Sequence, residues 1–520
     1  MSTPSRCLLA AAMAAAAAPA QPPQKGDVIG VWRFDDAGRA AWSAAPFATF
    51  EAGREGRPAL KVSTTAADGG QVLAKVDLSA YAGCKVQGEC WVKADGVTKP
   101  GEPWNGVKVM LHYTSPSVGQ RWNNEGNVYG SFDWKPLRFV EWLPADVKEA
   151  ELSLGLQSCS GTVWFDQLRL TVVGVPRPKP AAHPGPVYDS HPGLPRLRGV
   201  MGPNVYRDDD LRVLGQEWHA NLIRWQMTRN WGTPGTDQDL DEYNHWMDGK
   251  LDEAAKALDA CQKYGIKLLL DVHSPPGGRT ADSTIRIGLE RKYQDAFVAL
   301  WQKIATRFKG HPALWGYDLV NEPVQNTPPP EGVDDYLAVQ VRAAKAVRQI
   351  DPTTPITIEV DNWDSPDAYK ELEPVDVPNV VYQVHMYVPH EFTHQGVFKN
   401  LKTGVVYPGQ INGVKWDKER LRGVLAPVRE FQLAYNVQIY AGEFSAIRWA
   451  PGDSGYQYLR DVIDLFEEYG WDWSYHAYRE WDGWSVEHGP DPNDHEPTKE
   501  PGQRMKLLLG WFAKNVQPRP

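Results

Sequence analysis

The chain has 520 residues, enough for more than one domain, one of which may be a barrel of about 250 residues or more. Hydrophobic residues make up 42% and charged residues 23%, an ordinary balance for a soluble globular protein. A formal net charge of −10 without a long basic run argues against nucleic acid and anionic membranes as partners.

The N-terminus reads as a secretory signal peptide over residues 1–20. Arg6 supplies a basic start, Cys7 to Ala18 form an apolar stretch too short to cross a bilayer, and Ala18-Pro19-Ala20 fits an A-x-A cleavage site. The expected location is therefore extracellular or periplasmic, and no later stretch is long and apolar enough for a membrane helix. Cys7 would leave with the leader. Cys84, Cys90 and Cys159 fall together in the N-terminal region, where an oxidising compartment leads to the expectation of one disulfide whose pairing the spacing does not give. Cys261 is expected to be a buried free thiol.

Residues 27–173 read as an all-β domain. Val107, Val109, Leu111 and Tyr113 alternate with Lys108, Met110 and His112; Leu152, Leu154 and Leu156 alternate with polar or small residues; Val86, Gly88, Cys90 and Val92 do the same. No amphipathic helix interrupts them, so a β-sandwich or jelly roll is expected. Residues 174–195 are rich in proline without periodicity and read as a stiff linker.

From 196 to 517 strands alternate with helices. Apolar strand segments are 197–202, 221–226, 266–273, 313–320, 355–360, 380–388, 437–444 and 471–478. Amphipathic helical stretches lie between most of them, one placing Leu251, Ala254, Leu258 and Cys261 on one face, another Tyr293, Phe297, Leu300, Ile304 and Phe308. Eight strands, most followed by a helix, predict an α/β fold, a (β/α)8 barrel of the TIM type. An open doubly wound sheet is disfavoured because no glycine-rich phosphate loop follows the first strand.

In such a barrel the strands' C-terminal ends carry the chemistry. Here they carry Arg224 on the second strand, Asp271 and His273 on the third, Asn321 and Glu322 on the fourth, His385 and Tyr387 on the sixth, Glu443 on the seventh and Glu480-Trp481 after the eighth. Each has a bland explanation alone: an ion pair, a core histidine, a helix start at Glu322-Pro323. Their convergence on one mouth does not. Glu322 and Glu443, on opposite sides, supply the two carboxyl groups that glycosidic cleavage requires, one protonated and one ionised.

These segments resemble the family 5 glycoside hydrolases over residues 196–517. GYDLVNEP (316–323) is similar to the family's fourth-strand motif, GEF (442–444) to its nucleophile motif, HMY (385–387) to its His-x-Tyr, NLIRW (221–225) to its Asn-x-x-Arg segment and DVH (271–273) to its Asp-x-His. The resemblance implies Glu322 as acid/base and Glu443 as nucleophile of a retaining reaction. It further implies that Asn321 binds the sugar 2-hydroxyl, that Arg224 holds the nucleophile, and that His273, His385, Tyr387 and Trp481 contact the substrate; Trp484 competes for the last role. No cofactor or metal is implied. GTVWFDQLRLT (161–171) resembles the last strand of jelly-roll carbohydrate-binding modules. For that domain Trp104, Tyr113, Trp122 and Tyr129 are candidate binding aromatics, beside the alternative of a domain that only stabilises or spaces the barrel.

The expected activity is endo-cleavage of a β-1,4-linked polysaccharide, cellulose or mixed-linkage glucan ahead of mannan. An excess of aromatics, 22 Trp and 21 Tyr, fits sugar-binding clefts as well as a core. β-Mannanase and exo-acting β-glucosidase stay open, as does a non-enzymatic carbohydrate-binding protein. A metal hydrolase built on Asp271, His273 and His385 is disfavoured because the first strand lacks His-x-His. The partner is a polysaccharide or oligosaccharide; oligomeric state is left open.

Overall fold

The computed structural model describes residues 21–518 apart from 103, 126–127, 179–180, 186 and 188–192. The leader read over 1–20 lies outside the described residues. The chain forms two compact units, one ending at Pro176 and the other starting at Arg177.

The first unit is an antiparallel β-sandwich of jelly-roll type. One sheet runs Ala48–Ala52, Pro58–Thr64, Gly161–Gly174, Lys85–Val97, Gly130–Trp142, with Val28–Trp32 paired to Gly161–Gly174; the other runs Gly69–Val76, Lys148–Gln157, Gly106–Ser115, Gly119–Asn124. Period-2 alternation turns Val86, Cys90 and Val92 inward against Leu152, Leu154, Phe165 and Leu170, which form one core. Tyr113 shares the inward phase of Val109 and Leu111 and is buried, its hydroxyl donating to Glu141 at 2.7 Å, so it is not a binding aromatic. Trp104, Trp122 and Tyr129 are exposed.

The expected disulfide is absent: Cys84, Cys90 and Cys159 are separate buried thiols, as is Cys261. The ladder between Gly161–Gly174 and Lys85–Val97 explains it. Gly174 pairs with Lys85 at one end and Thr162 with Asp95 at the other, so Cys84 and Cys159 sit at opposite ends with Cys90 between. Six residues of strand separate Cys84 from Cys90 by roughly 20 Å, far beyond disulfide reach.

The second unit is a closed barrel of eight parallel strands in chain order: Arg198–Met201, Leu222–Gln226, Lys267–Asp271, Leu314–Asp318, Ile356–Ile358, Val380–Met386, Gln438–Phe444 and Asp472–Tyr475, the eighth pairing back onto the first. Helices pack outside, among them Leu240–Tyr264, Arg291–Phe308, Tyr336–Arg348, Lys418–Tyr435 and Ser454–Tyr469. The Leu240–Tyr264 helix starts where the Asp239 carboxylate accepts the N–H groups of Asp241 and Glu242, and ends at Gly265 in the left-handed conformation. The proline-rich stretch is tied to this unit: Arg177 N–H donates to Lys370 O and His183 N–H to Leu433 O, each at 2.7 Å.

Leu222, Leu269, Trp315, Val381 and Tyr440 fill the barrel's lower interior. Two residues further along the same strands, the period returns Arg224, Asp271 and Gln383 to the same side, and two further again His273 and His385. An apolar floor thus gives way to a polar layer because the strands alternate, and that layer is the site.

Candidate active site

Arg224 is the hub. Its side chain is fully buried, with Nε donating to Asp318 at 2.7 Å, Nη1 to Glu443 Oε1 at 2.6 Å, and Nη2 to Glu359 Oε1 at 2.8 Å and Asn321 Oδ1 at 3.0 Å. Nη2 also lies 3.2 Å from Asp271 Oδ2, which pairs with His273 Nδ1 at 2.8 Å. One guanidinium therefore meets carboxylates from the third, fourth, fifth and seventh strands, a task for its five-donor fork rather than for an ammonium.

Glu322 and Glu443 face one another. His385 Nδ1 is 2.9 Å from Glu322 Oε1 and 3.9 Å from Glu443 Oε2, and the three contacting atoms all lie within 4.8 Å of each other. Tyr387 donates its hydroxyl to Glu443 Oε2 at 2.8 Å. Glu443 is buried, whereas the Glu322 side chain is 21% exposed. Glu322 also sits in the left-handed backbone region, with φ of 49°. That conformation is costly for a residue with a Cβ and persists where surroundings over-determine it. They do: Glu359 Oε2 accepts the Glu322 N–H at 2.6 Å, and buried Arg279 donates to the carbonyls of Asn321 at 3.2 Å and Glu322 at 2.8 Å.

The charges separate in an informative way. Burial works against an ionised Glu443, but His385, His476, Arg224 and His273 outweigh it and hold this carboxyl well below the usual carboxylate range. Behind it the trend reverses. Burial, with Asp271 alongside, pushes Asp318 up to about 6 against the pull of Arg224. Burial also raises Glu359, helped by Asp318 and Asp364, and raises Asp364 itself. The surplus of acids over one guanidinium is thus relieved by the deeper carboxyls, leaving Glu443 as the anion.

Arg224, His273, Asn321, Glu322, His385, Tyr387 and Glu443 all converge here. Trp481 stands 41% exposed at the rim, edge-on to Trp484 at 5.7 Å and to Trp449 at 5.9 Å. Trp484 is the buried inner wall, 6.1 Å from the Tyr387 ring and 5.6 Å from His476. Sequence reasoning missed Glu359, Gln383, Arg279 and His476. Glu359 carried a signal, a lone carboxylate ending the apolar run of 355–360; Gln383, whose amide bonds Glu359, interrupts its strand in the same phase as His385. As possible metal ligands, the structure gathers Glu322 with His385 and Glu443, and Glu359 with Asp364 and His385, rather than Asp271 with His273 and His385.

A closed parallel barrel carrying paired carboxyl groups at the strand ends defines a barrel glycoside hydrolase. Residues 189–485 match the family model described as cellulase (glycosyl hydrolase family 5), and the chain belongs to that family. It is similar to Endoglucanase C of Acetivibrio thermocellus, 31% identical over 268 residues that cover 46% of this chain and 76% of that protein. It is also similar to Cellodextrinase A of Ruminococcus flavefaciens, 23% identical over 221 residues covering 41% and 63%, and to a Beta-xylosidase of Phanerodontia chrysosporium, 24% identical over 251 residues covering 43% and 47%.

Proposed function

We propose that the chain is an exported, retaining endo-β-1,4-glucanase with Glu322 as acid/base and Glu443 as nucleophile. The observation that carries this reading is the closeness of Glu322 and Glu443, carboxylate oxygens of which lie within 4.8 Å of one another, short of the roughly 6.5–9.5 Å carboxyl separation that single-step inversion needs to place its water. In the first step a Glu443 oxygen attacks the anomeric carbon while Glu322 gives its proton to the departing glycosidic oxygen. In the second, Glu322 takes a proton from water, the water oxygen attacks the same carbon, and the Glu443 carboxylate leaves. Arg224 and Tyr387 fix both Glu443 oxygens throughout, so the attacking atom needs no reorientation. Asn321 gives its carbonyl to Arg224 and keeps its amide NH2 for the sugar 2-hydroxyl. The endoglucanase relatives favour a β-1,4-glucan substrate. Exposed Trp231, Trp363 and Trp481 suit a polymer path at the mouth. Proton NMR of the product anomer during hydrolysis of cellopentaose decides the stereochemistry; initial appearance of the inverted anomer overturns the mechanism. Product sizing on a glucan and mannan panel separates endo action, a dense oligosaccharide ladder, from exo release of one sugar.

For the sandwich unit we propose carbohydrate binding, supported by a cleft of ≈ 710 Å³ on its larger sheet. Its lining includes Trp134, Trp164, Glu51, Lys93 and Asp95, flat rings beside hydrogen-bonding groups. The Trp164 indole N–H donates to Glu51 at 2.6 Å, which fixes the ring. A Trp134→Ala, Trp164→Ala double variant of the full chain should lose binding to insoluble cellulose while cleaving a soluble aryl cellobioside normally; unchanged binding refutes the assignment.

A further inference from the structure

His476, just past the eighth strand, is buried and takes no part in the two proton transfers. Its Nδ1 lies 2.6 Å from the Tyr387 hydroxyl oxygen and its Nε2 3.0 Å from Glu480 Oε2. A hydroxyl has one proton, and that of Tyr387 is directed at Glu443. Toward His476 the Tyr387 oxygen therefore only accepts, so Nδ1 must carry hydrogen. Glu480, its side chain almost wholly enclosed, presents to His476 the same Oε2 that accepts from the Gln226 amide at 2.8 Å, an acceptor that calls for hydrogen on Nε2 as well. With both ring nitrogens donating, the ring is an imidazolium.

We propose that His476, clamped by Glu480, is a positioning residue that holds the Tyr387 proton on Glu443 and places a positive charge one hydroxyl away from it. This rests on Glu443 being the nucleophile. The groups facing His476 agree. Burial alone would lower its affinity for a proton, but Glu480, Glu443 and Glu322 raise it above the ordinary histidine range. His394, against Trp484 on the other side, is pushed down to about 2, chiefly by burial and further by the His476 charge, so it stays neutral and does not compete. His390 is lowered by burial despite Glu322 and Glu391. Neutral at the mouth and charged behind the tyrosine, these histidines concentrate positive charge where it acts on Glu443. The charge keeps the nucleophile ionised before attack and stabilises it again as the leaving group.

The test is the pH profile of kcat/KM on 4-nitrophenyl β-cellobioside. His476→Gln keeps an N–H for Tyr387 but removes the charge. Without that charge the Glu443 pKa rises, so the acid limb moves to higher pH by about one unit, a loss approaching tenfold at pH values below the parent's limb with little change near pH 7.5. Glu480→Gln, which keeps the shape of the clamp and removes its charge, should move the limb in the same direction by less. It decides the matter alone if the histidine variant does not fold by thermal melting. Acid limbs coincident with the parent, or an equal loss at every pH, overturn the proposal. Activity retained by Glu443→Gln would instead overturn the nucleophile assignment on which it stands.

Discussion

Replacing Arg224 by lysine keeps one positive charge and removes the fork, which isolates what the fork does. The guanidinium holds four oxygen partners, on Asp318, Glu443, Glu359 and Asn321. An ammonium has three donors, so at least one charged contact is lost, and radial placement of three N–H groups makes two the natural number. Each such bond contributes about 1.5–3 kcal/mol, giving about 3–6 kcal/mol for the two. Part of this is recovered, because Asp318, already near 6, and Glu359, already raised, can take up protons when the guanidinium is gone. Glu443 cannot be relieved in this way without ceasing to be a nucleophile. We therefore expect Arg224→Lys to fold with its Tm lowered by about 5 °C, to lose a factor of roughly 10²–10³ in kcat/KM, and to change KM little. Steady-state kinetics on 4-nitrophenyl β-cellobioside with calorimetry on the same samples measures all three. A lysine variant within tenfold of the parent across pH 5–8 would refute the claim that geometry, rather than net charge, aims the nucleophile.

Asp472 gives a stability prediction with a defined sign. Buried and accepting from the Leu197 N–H and the Gln438 amide, it is raised by burial to about 7. A folded-state carboxyl above its unfolded value binds an extra proton, so stability is present at low pH and falls as pH rises from about 4 through about 7. Asp472→Asn should therefore melt higher than the parent at pH 8.5, by up to about 4 kcal/mol in stability, and show no gain at pH 5; a gain independent of pH would contradict the assignment. Arg279→Lys, which can no longer bridge the carbonyls of Asn321 and Glu322 or stack 4.6 Å from the Trp363 ring, should lower kcat about tenfold with KM nearly unchanged. A change in KM alone would mean that Arg279 serves substrate binding instead. Cys84, Cys90, Cys159 and Cys261 should resist iodoacetamide in the native protein and all react after denaturation; peptide mapping that finds any pair joined would restore the disulfide reading.

What the sequence disclosed follows from the range of the interaction involved. The barrel strands were legible because a parallel strand buried on both faces is a short apolar run, as 266–273 shows, and the period of two then carries Leu269 to Asp271 to His273 up one interior wall. The same period already placed Tyr113 inside with Val109 and Leu111, and already separated Cys84 from Cys90 along one strand; both misreadings came from residue type overriding phase. His476 is a different case. Nothing in Ser-Tyr-His-Ala distinguishes it from a packed core histidine, because its meaning lies in Tyr387, 89 positions away, and through it in Glu443. Arg224 reaches Glu443 across 219 positions, yet it was legible, since a buried arginine in an apolar strand demands an acid whatever its address. A histidine makes no such demand until its two nitrogens are seen to be donors, and that is a property of the partners it meets. The carboxylate surplus belongs with it: Asp318 and Glu359 become proton-holding neighbours only once four acids are found around one guanidinium, and it is their raised proton affinity that helps keep the charge at this mouth on Glu443.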